Sequence, residues 1–217
     1  MVKAIIFDLD GTLLDTSEDI HCILNGCLKK HGIPEISYRK TLEYVGNGAK
    51  KLIERACGNF SDKIDSVYKD FSADYVSASN DRTKLYEGEA EVIEKLKAKG
   101  VRMAVLSNKP QSALDEVYDK FLSAYGFDIV VGQTEKFPLK PDPGSALHIL
   151  KRLKAEKGES VFVGDGETDV VTAFNAGIKC ISCLWGYRSE AELRGAGAKI
   201  FANNFKQLYS ILENENF

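Results

Sequence analysis

The chain has 217 residues, 44% of them hydrophobic and 28% charged, the balance of a globular protein and not of a disordered or membrane-embedded one. Its 29 Lys and Arg stand against 32 Asp and Glu, for a formal charge of -3, so nothing electrostatic favours nucleic acid or an anionic membrane as partner. The length suits one ordinary domain with a smaller second one.

No stretch approaches the ~20 apolar residues of a membrane span, and the apolar run at the N-terminus is too short for a signal-peptide core. The cysteines Cys22, Cys27, Cys57, Cys180 and Cys183 are odd in number. Only Cys180 and Cys183 form a CxxC spacing, and they lie in an apolar strand pattern instead of ahead of a helix. They read as reduced structural thiols, and a cytoplasmic location is expected.

In chain order, Ala4–Leu9 is a short apolar run that predicts a buried strand. From about Thr16 to Asn80 only helical periodicity follows. Ile20, Ile23, Leu24, Cys27 and Leu28 mark one helix face, with Thr16 or Ser17 as its cap and Gly32 and Pro34 as its stop. Ile64, Val67, Tyr68, Phe71, Tyr75 and Val76 mark a later helix. Strands and helices then alternate: helix Glu89–Lys99, strand Val101–Leu106, helix Ser112–Leu122, strand Ile129–Val131, helix Gly144–Lys157, strand Val161–Val163, helix Thr168–Ala176 and strand Lys179–Leu184. Gly100 and Gly177 stand where helices should stop. This rhythm predicts an α/β fold, a doubly wound, mostly parallel, Rossmann-like sheet over 1–15 and 81–217, with an all-helical unit inserted over 16–80. The tail Glu213–Phe217 is polar and is expected to fray.

Ligands of open parallel sheets bind outside the carboxyl ends of the strands. The expected strand ends carry Asp8-Leu9-Asp10-Gly11-Thr12, Ser107-Asn108-Lys109 and Gly164-Asp165-Gly166-Glu167-Thr168-Asp169, and Lys140-Pro141-Asp142-Pro143 opens a helix. Carboxylates gathered at one crevice repel one another unless a cation is present, and hard oxygen donors favour magnesium. A lysine and a hydroxyl supply donors for phosphate oxygens, Gly11 permits a tight turn, and an exposed aspartate can act as nucleophile.

Asp8-Leu9-Asp10-Gly11-Thr12, Ser107, Lys140 and Gly164-Asp165 with Asp169 together resemble, in order and spacing, the four motifs of the haloacid dehalogenase superfamily, specifically its phosphatases. The inserted helices resemble that family's small helical cap. Tyr44-Val45-Gly46-Asn47-Gly48-Ala49 and Trp185-Gly186-Tyr187-Arg188 resemble the phosphoglycolate phosphatase subgroup. The stretch between Ser107 and Lys140 leaves no room for a second large cap.

The resemblance implies that Asp8 becomes phosphorylated and that Asp10 serves as general acid and base. It also implies a Mg2+ ion bound by the Asp8 carboxylate, the Asp10 backbone carbonyl and Asp165, with Asp169 in support. Ser107, Asn108, Lys140, Gly11 and Thr12 would hold the phosphoryl group. Gly46, Asn47, Gly48 and Lys51 are candidates for substrate contact from the cap, and Lys51 and Arg188 for a substrate carboxylate. His21, His31 and His148 read as non-catalytic.

The expected partner is a small phosphorylated metabolite, with phosphoglycolate ahead of pyrophosphate, nucleotides and sugar phosphates. A phosphosugar mutase and a catalytically silent binding protein remain alternatives at this point. The second aspartate, Asp10, argues against the superfamily's dehalogenases. The sequence carries no signal of oligomeric state.

Overall fold

The structure, a computed structural model, describes residues 2–214. Strand β1 (Ala4–Phe7) is followed by the two-residue strand β2 (Leu14–Asp15), four helices α1 (Ser17–Lys30), α2 (Tyr38–Tyr44), α3 (Ala49–Cys57) and α4 (Ile64–Val76), and a second short strand β3 (Lys84–Leu85). Then come α5 (Glu89–Ala98), β4 (Arg102–Pro110), α6 (Gln111–Phe121), β5 (Ile129–Gln133), α7 (Gly144–Leu153), β6 (Ser160–Gly164), α8 (Glu167–Ala176) and β7 (Lys179–Cys183). The chain continues through α9 (Glu190–Gly195), β8 (Ile200–Ala202) and α10 (Phe205–Glu213). Of the polar tail, Glu213 closes α10, and 215–217 lie outside the described residues.

Six strands form one all-parallel sheet in the order β5-β4-β1-β6-β7-β8. Every residue of β1 is buried, because both faces of the sheet are covered. Ile5 and Phe7 point to one side and join a cluster with Val92, Ile93, Leu114, Val117, Phe205 and Leu208 from α5, α6 and α10. Ala4 and Ile6 point to the other, against Ile149, Leu150, Ala173 and Ala176 from α7 and α8. The period-two alternation of a strand thus feeds two cores at once.

The inserted helices enclose a third apolar cluster, in which Ile20, Leu24 and Leu28 of α1 meet Leu52 and Ile53 of α3 and Val67 and Phe71 of α4. Each such side chain contributes about 1.5–3 kcal/mol on burial, so the insert has a core of its own. Its two ends are joined by antiparallel pairing of β2 with β3, Leu14 against Leu85 and Asp15 against Lys84.

Several expectations shift in detail. Thr16 occupies the N-cap position of α1, yet its hydroxyl donates to Asp10 and does not cap the helix. Helix α7 stops at Leu153, where Lys154 turns left-handed (φ 53°), short of the expected Lys157. Strand β4 runs on past Leu106 to Pro110, so Ser107, Asn108 and Lys109 belong to the strand itself. β2, β3 and β8 have two or three residues each, too few for alternation to register. α9 and α10 also lie beyond the expected set, although Ser189 and Asn204 cap them through their side chains. Among the described residues no helix is long and apolar enough to cross a membrane.

One buried carboxyl group stands apart from every site described below. Glu89 opens α5 fully buried, and neither carboxylate oxygen has a hydrogen-bond partner. Burial pushes its pKa up from 4.5 to about 8. Between those values the folded chain keeps a proton that the unfolded chain releases, so this group lowers stability as pH rises through the window. Glu89→Met should therefore exceed wild type in urea-unfolding stability at pH 8 by on the order of 2–4 kcal/mol, with the gap closing towards pH 4.5. An equal gap at both pH values would contradict the assignment.

Candidate active site

The carboxyl end of β1 delivers Asp8, whose N–H still pairs with the carbonyl of Val163 on β6 (2.9 Å). The chain then reverses sharply, with the N–H groups of Leu13 and Leu14 both bonded to the Leu9 carbonyl. Gly11 takes a left-handed conformation (φ 87°), and a Cβ there would fall 2.3 Å from Oδ2 of Asp165. The turn therefore lies directly against Asp165, the first residue after β6. Asp169 sits in the first turn of α8 and accepts the Gly166 N–H (2.9 Å). Lys140 arrives from the loop before α7, fixed by a two-way pairing of its backbone with the Asn108 side-chain amide (2.8 and 3.1 Å).

These segments converge where the strand order reverses about β1, the usual ligand crevice of such sheets. Oxygens of Asp8, Asp165 and Asp169 all lie within 4.8 Å of one another. The Lys140 ammonium bridges Asp8 (2.8 Å) and Asp169 (2.7 Å). Thr12 donates its hydroxyl to Asp165 (2.8 Å), whose other oxygen accepts the Tyr187 N–H (2.8 Å).

Burial sets the charges here. Burial and the neighbouring Asp169 raise the pKa of Asp8, against the pull of Lys140. Burial and Asp169 likewise push Asp165 up to about 7, while the Tyr187 N–H and the Thr12 hydroxyl pull it down. For Lys140, burial alone would lower the pKa, but Asp169 and Asp8 outweigh it and the ammonium is held raised. When all three carboxylates are ionised, they and the one ammonium leave two negative charges in a desolvated crevice built of hard oxygen donors, which is the state that the raised pKa values of Asp8 and Asp165 resist unless a cation is bound. That donor set and that deficit fit a divalent cation such as magnesium.

Asp10 stands slightly apart, and its carboxylate faces a different set of partners. Its Oδ1 accepts from Thr16 Oγ1 (2.6 Å) and Lys109 Nζ (3.2 Å). The Lys109 ammonium also bonds the Tyr75 hydroxyl of α4 and lies 4.0 Å from the centre of its ring. Burial lowers the pKa of Lys109, with Asp10 opposing. A cavity of about 40 Å³ opens between the sheet edge and the inserted helices, lined by Asp8, Asp10, Ser107, Asn108, Lys109 and Lys140 below. Above, the wall is Ile20, Val45, Gly46, Gly48, Ala49, Leu52, Phe71 and Tyr75.

The structure thus brings Asp8, Asp10, Ser107, Asn108 and Lys140 to the cavity wall, with Asp165 and Asp169 beside them. Thr12 turns its hydroxyl to Asp165. Gly46 and Gly48 reach the cavity from the joint between α2 and α3, whereas Asn47 is not in the wall. Lys51 is exposed and paired with Glu54 (2.9 Å). Arg188 spends its guanidinium on the carbonyls of Leu42 (2.6 Å) and Val45 (2.7 Å) and on Glu167 (3.0 Å).

Lys109 and Tyr75 are wall residues that sequence reasoning did not single out. For Lys109 a signal existed: a lysine within a strand buried on both faces must find a charged partner. Tyr75 read only as part of an apolar helix stripe.

Residues 5–183 match the family of haloacid dehalogenase-like hydrolases. The chain is 35% identical over 188 residues to the phosphoglycolate phosphatase of Aquifex aeolicus, with 86% of each protein covered. It is 29% identical over 212 residues to that of Pseudomonas fluorescens, covering 95% of this chain and 78% of the relative. A crystal structure from Lactobacillus delbrueckii subsp. bulgaricus, of a protein provisionally named a phosphoglycolate phosphatase, superimposes with a TM-score of 0.93 at 26% identity, covering 98% of this chain and 99% of that one. A family match over most of the length, together with relatives that share both sheet and insert, makes this chain a haloacid dehalogenase-like hydrolase and, within that family, a phosphatase.

Proposed function

We propose that the protein hydrolyses small phosphate monoesters, phosphoglycolate foremost, in the cytoplasm, using magnesium and a phospho-aspartyl intermediate on Asp8. The observation that carries this reading is the meeting of Asp8, Asp165, Asp169 and Lys140 beside a small cavity that Asp8 and Lys140 help to line. Asp8, Asp165 and Asp169 would hold the ion, with the Asp10 backbone carbonyl. When bound, it offsets the charge of the carboxylates and of the phosphoryl oxygens.

Asp8 attacks phosphorus in line with the ester oxygen. Lys140 and the Ser107 hydroxyl orient the transferring phosphoryl group and stabilise the charge spread over its oxygens. Asp10, held by Thr16 and Lys109, gives its proton to the leaving alkoxide. It then takes a proton from the water that attacks the aspartyl phosphate, which releases inorganic phosphate and restores the Asp8 carboxylate. Nothing in this sequence needs a histidine.

The unit 16–80 acts in this reading as a cap on the core of 1–15 and 81–217. It opens to admit substrate and closes to exclude water, turning near Thr16 and Asn80. Asn80 lies in a left-handed conformation (φ 53°) at the second of these points. Arg188, rooted in the core after β7, fastens the closed state by donating to carbonyls at the end of α2.

Phosphate release from a panel of short esters should depend on magnesium, vanish on chelation and return on readdition. Asp8→Asn should lower kcat by at least about 10³-fold while the variant stays folded; release that survives the substitution would remove Asp8 as nucleophile. Arg188→Met should lower kcat/KM about tenfold and raise amide hydrogen exchange across 38–48. Unchanged exchange there would mean that Arg188 does not hold the cap.

A further inference from the structure

We propose that the Lys109 ammonium is the receptor for a carboxylate carried on the substrate's leaving group, and that it selects short phosphate esters whose anion lies one carbon from the ester oxygen. This assignment rests on the phosphatase chemistry given above and adds what chooses the ester.

Position comes first. Lys109 ends the deeply buried part of β4, is only 4% exposed, and lines the cavity beside Asp8 and Asp10. Its ammonium is 3.2 Å from Oδ1 of Asp10. A group that protonates the leaving oxygen touches that oxygen, so a cation hydrogen-bonded to the group lies close to the first atoms beyond it. A carboxylate on the adjacent carbon falls within reach of such a cation.

Capacity comes second. An ammonium has three donors, and the hydrogen bonds of Lys109 go to Asp10 and the Tyr75 hydroxyl. One donor remains for a ligand. The other lysine of the wall, Lys140, lies at the opposite end, against Asp8 (2.8 Å) and Asp169 (2.7 Å), where its remaining donor faces the phosphoryl group in the reading above.

Competition comes third. From the cap, the side chains of Ile20, Val45, Ala49, Leu52 and Phe71 that face the cavity are apolar and carry no charge to pair with an anion, and the Tyr75 hydroxyl is already bonded to Lys109. The two cations that the sequence offered for a substrate carboxylate are committed elsewhere, Lys51 to Glu54 and Arg188 to Glu167 and backbone carbonyls. A carboxylate entering this apolar space would be desolvated, and an unpaired one is strongly excluded. Lys109 is the cation in the wall that can make its entry favourable. A longer ester would carry its anion past Lys109 into the aliphatic wall, which sets a length limit as well as a charge preference.

The test compares 2-phosphoglycolate with its neutral isostere, the phosphate ester of glycolamide, and with 3-phosphopropionate, the ester longer by one methylene. Wild type should prefer phosphoglycolate over the amide by about 100-fold in kcat/KM, since a site built for a charged group rejects the analogue lacking it. It should also disfavour the longer ester. Lys109→Met should cut the acid-to-amide preference to about fivefold or less, chiefly by raising KM for the acid. Any loss of kcat through Asp10 falls on both esters and cancels in the ratio. Lys109→Arg should keep most of the preference.

A wild type that hydrolyses acid and amide equally well overturns the inference while leaving the phosphatase chemistry intact, and this comparison needs no variant to fold. A Lys109→Met ratio equal to that of wild type overturns it too, by assigning the anion to another group. Release from neither short ester, with activity on other phosphate esters, overturns it together with the choice of phosphoglycolate.

Discussion

Three buried carboxylates held within 4.8 Å of one another form an arrangement that a chain adopts only if the scaffold compels it. Each is compelled by a backbone donor: the Leu9 N–H on Asp8, the Tyr187 N–H on Asp165 and the Gly166 N–H on Asp169. Two of them also share the Lys140 ammonium. The parallel sheet makes this possible because strand ends leave N–H groups unpaired on one edge, and α8 points its N-terminal dipole there as well. Thr12 and Trp185 brace the turn from either side, one through Asp165 and the other by donating to the Thr12 carbonyl (3.0 Å). The rest of the core is the support for that edge.

A second charged pair divides the cavity into two ends. Lys140 belongs to the Asp8 end, where a phosphoryl group would sit, and Lys109 belongs to the Asp10 end, where a leaving group would sit. Neither lysine is interchangeable with the other. Lys140 is positioned by Asn108 gripping its backbone. Lys109 is positioned by a cap tyrosine. The first contact is made within the core, although Asn108 also reaches the Gly46 carbonyl of the insert, while the second crosses directly from core to insert.

Much of this could be read before any coordinates. The alternation of short Val- and Ile-rich runs with amphipathic stretches is a local signal, and β1, β4, β5, β6 and β7 follow it. Asp8 and Asp165 were legible because strand ends in a parallel sheet share one edge, so residues far apart in sequence are neighbours by topology, whereas Lys140, in the loop ahead of α7, was legible chiefly through the family resemblance. What escaped reading depended on tertiary contact. The Thr16 hydroxyl looks like a helix cap until the carboxylate of Asp10 competes for it at 2.6 Å. Tyr75 follows its apolar stripe, yet its hydroxyl leaves that stripe to meet Lys109. Arg188 looks like a candidate for an anion, but carbonyls 146 and 143 residues earlier in the chain, at the end of α2, reach it first.

The same contacts explain how cap and core can fit closely without fixing what the cap recognises. The core grips the insert largely by its backbone: Asn108 donates to the Gly46 carbonyl (3.0 Å), and Arg188 donates to the carbonyls of Leu42 and Val45. Gly48 allows the same loop to lie against Leu139, where a Cβ would come within 2.9 Å of a methyl carbon. Backbone carbonyls are supplied by any sequence, so the docked position tolerates change at the side chains that face the cavity. Those side chains, Ile20, Leu52 and Phe71 among them, are then free to set the size of the space. On the proposal above, charge selection falls to the core, at Lys109. On the proposals above, a fold arranged in this way could change the shape of the ester it accepts by altering the inserted helices, and its charge by altering one strand end, while the carboxylate edge stays as it is.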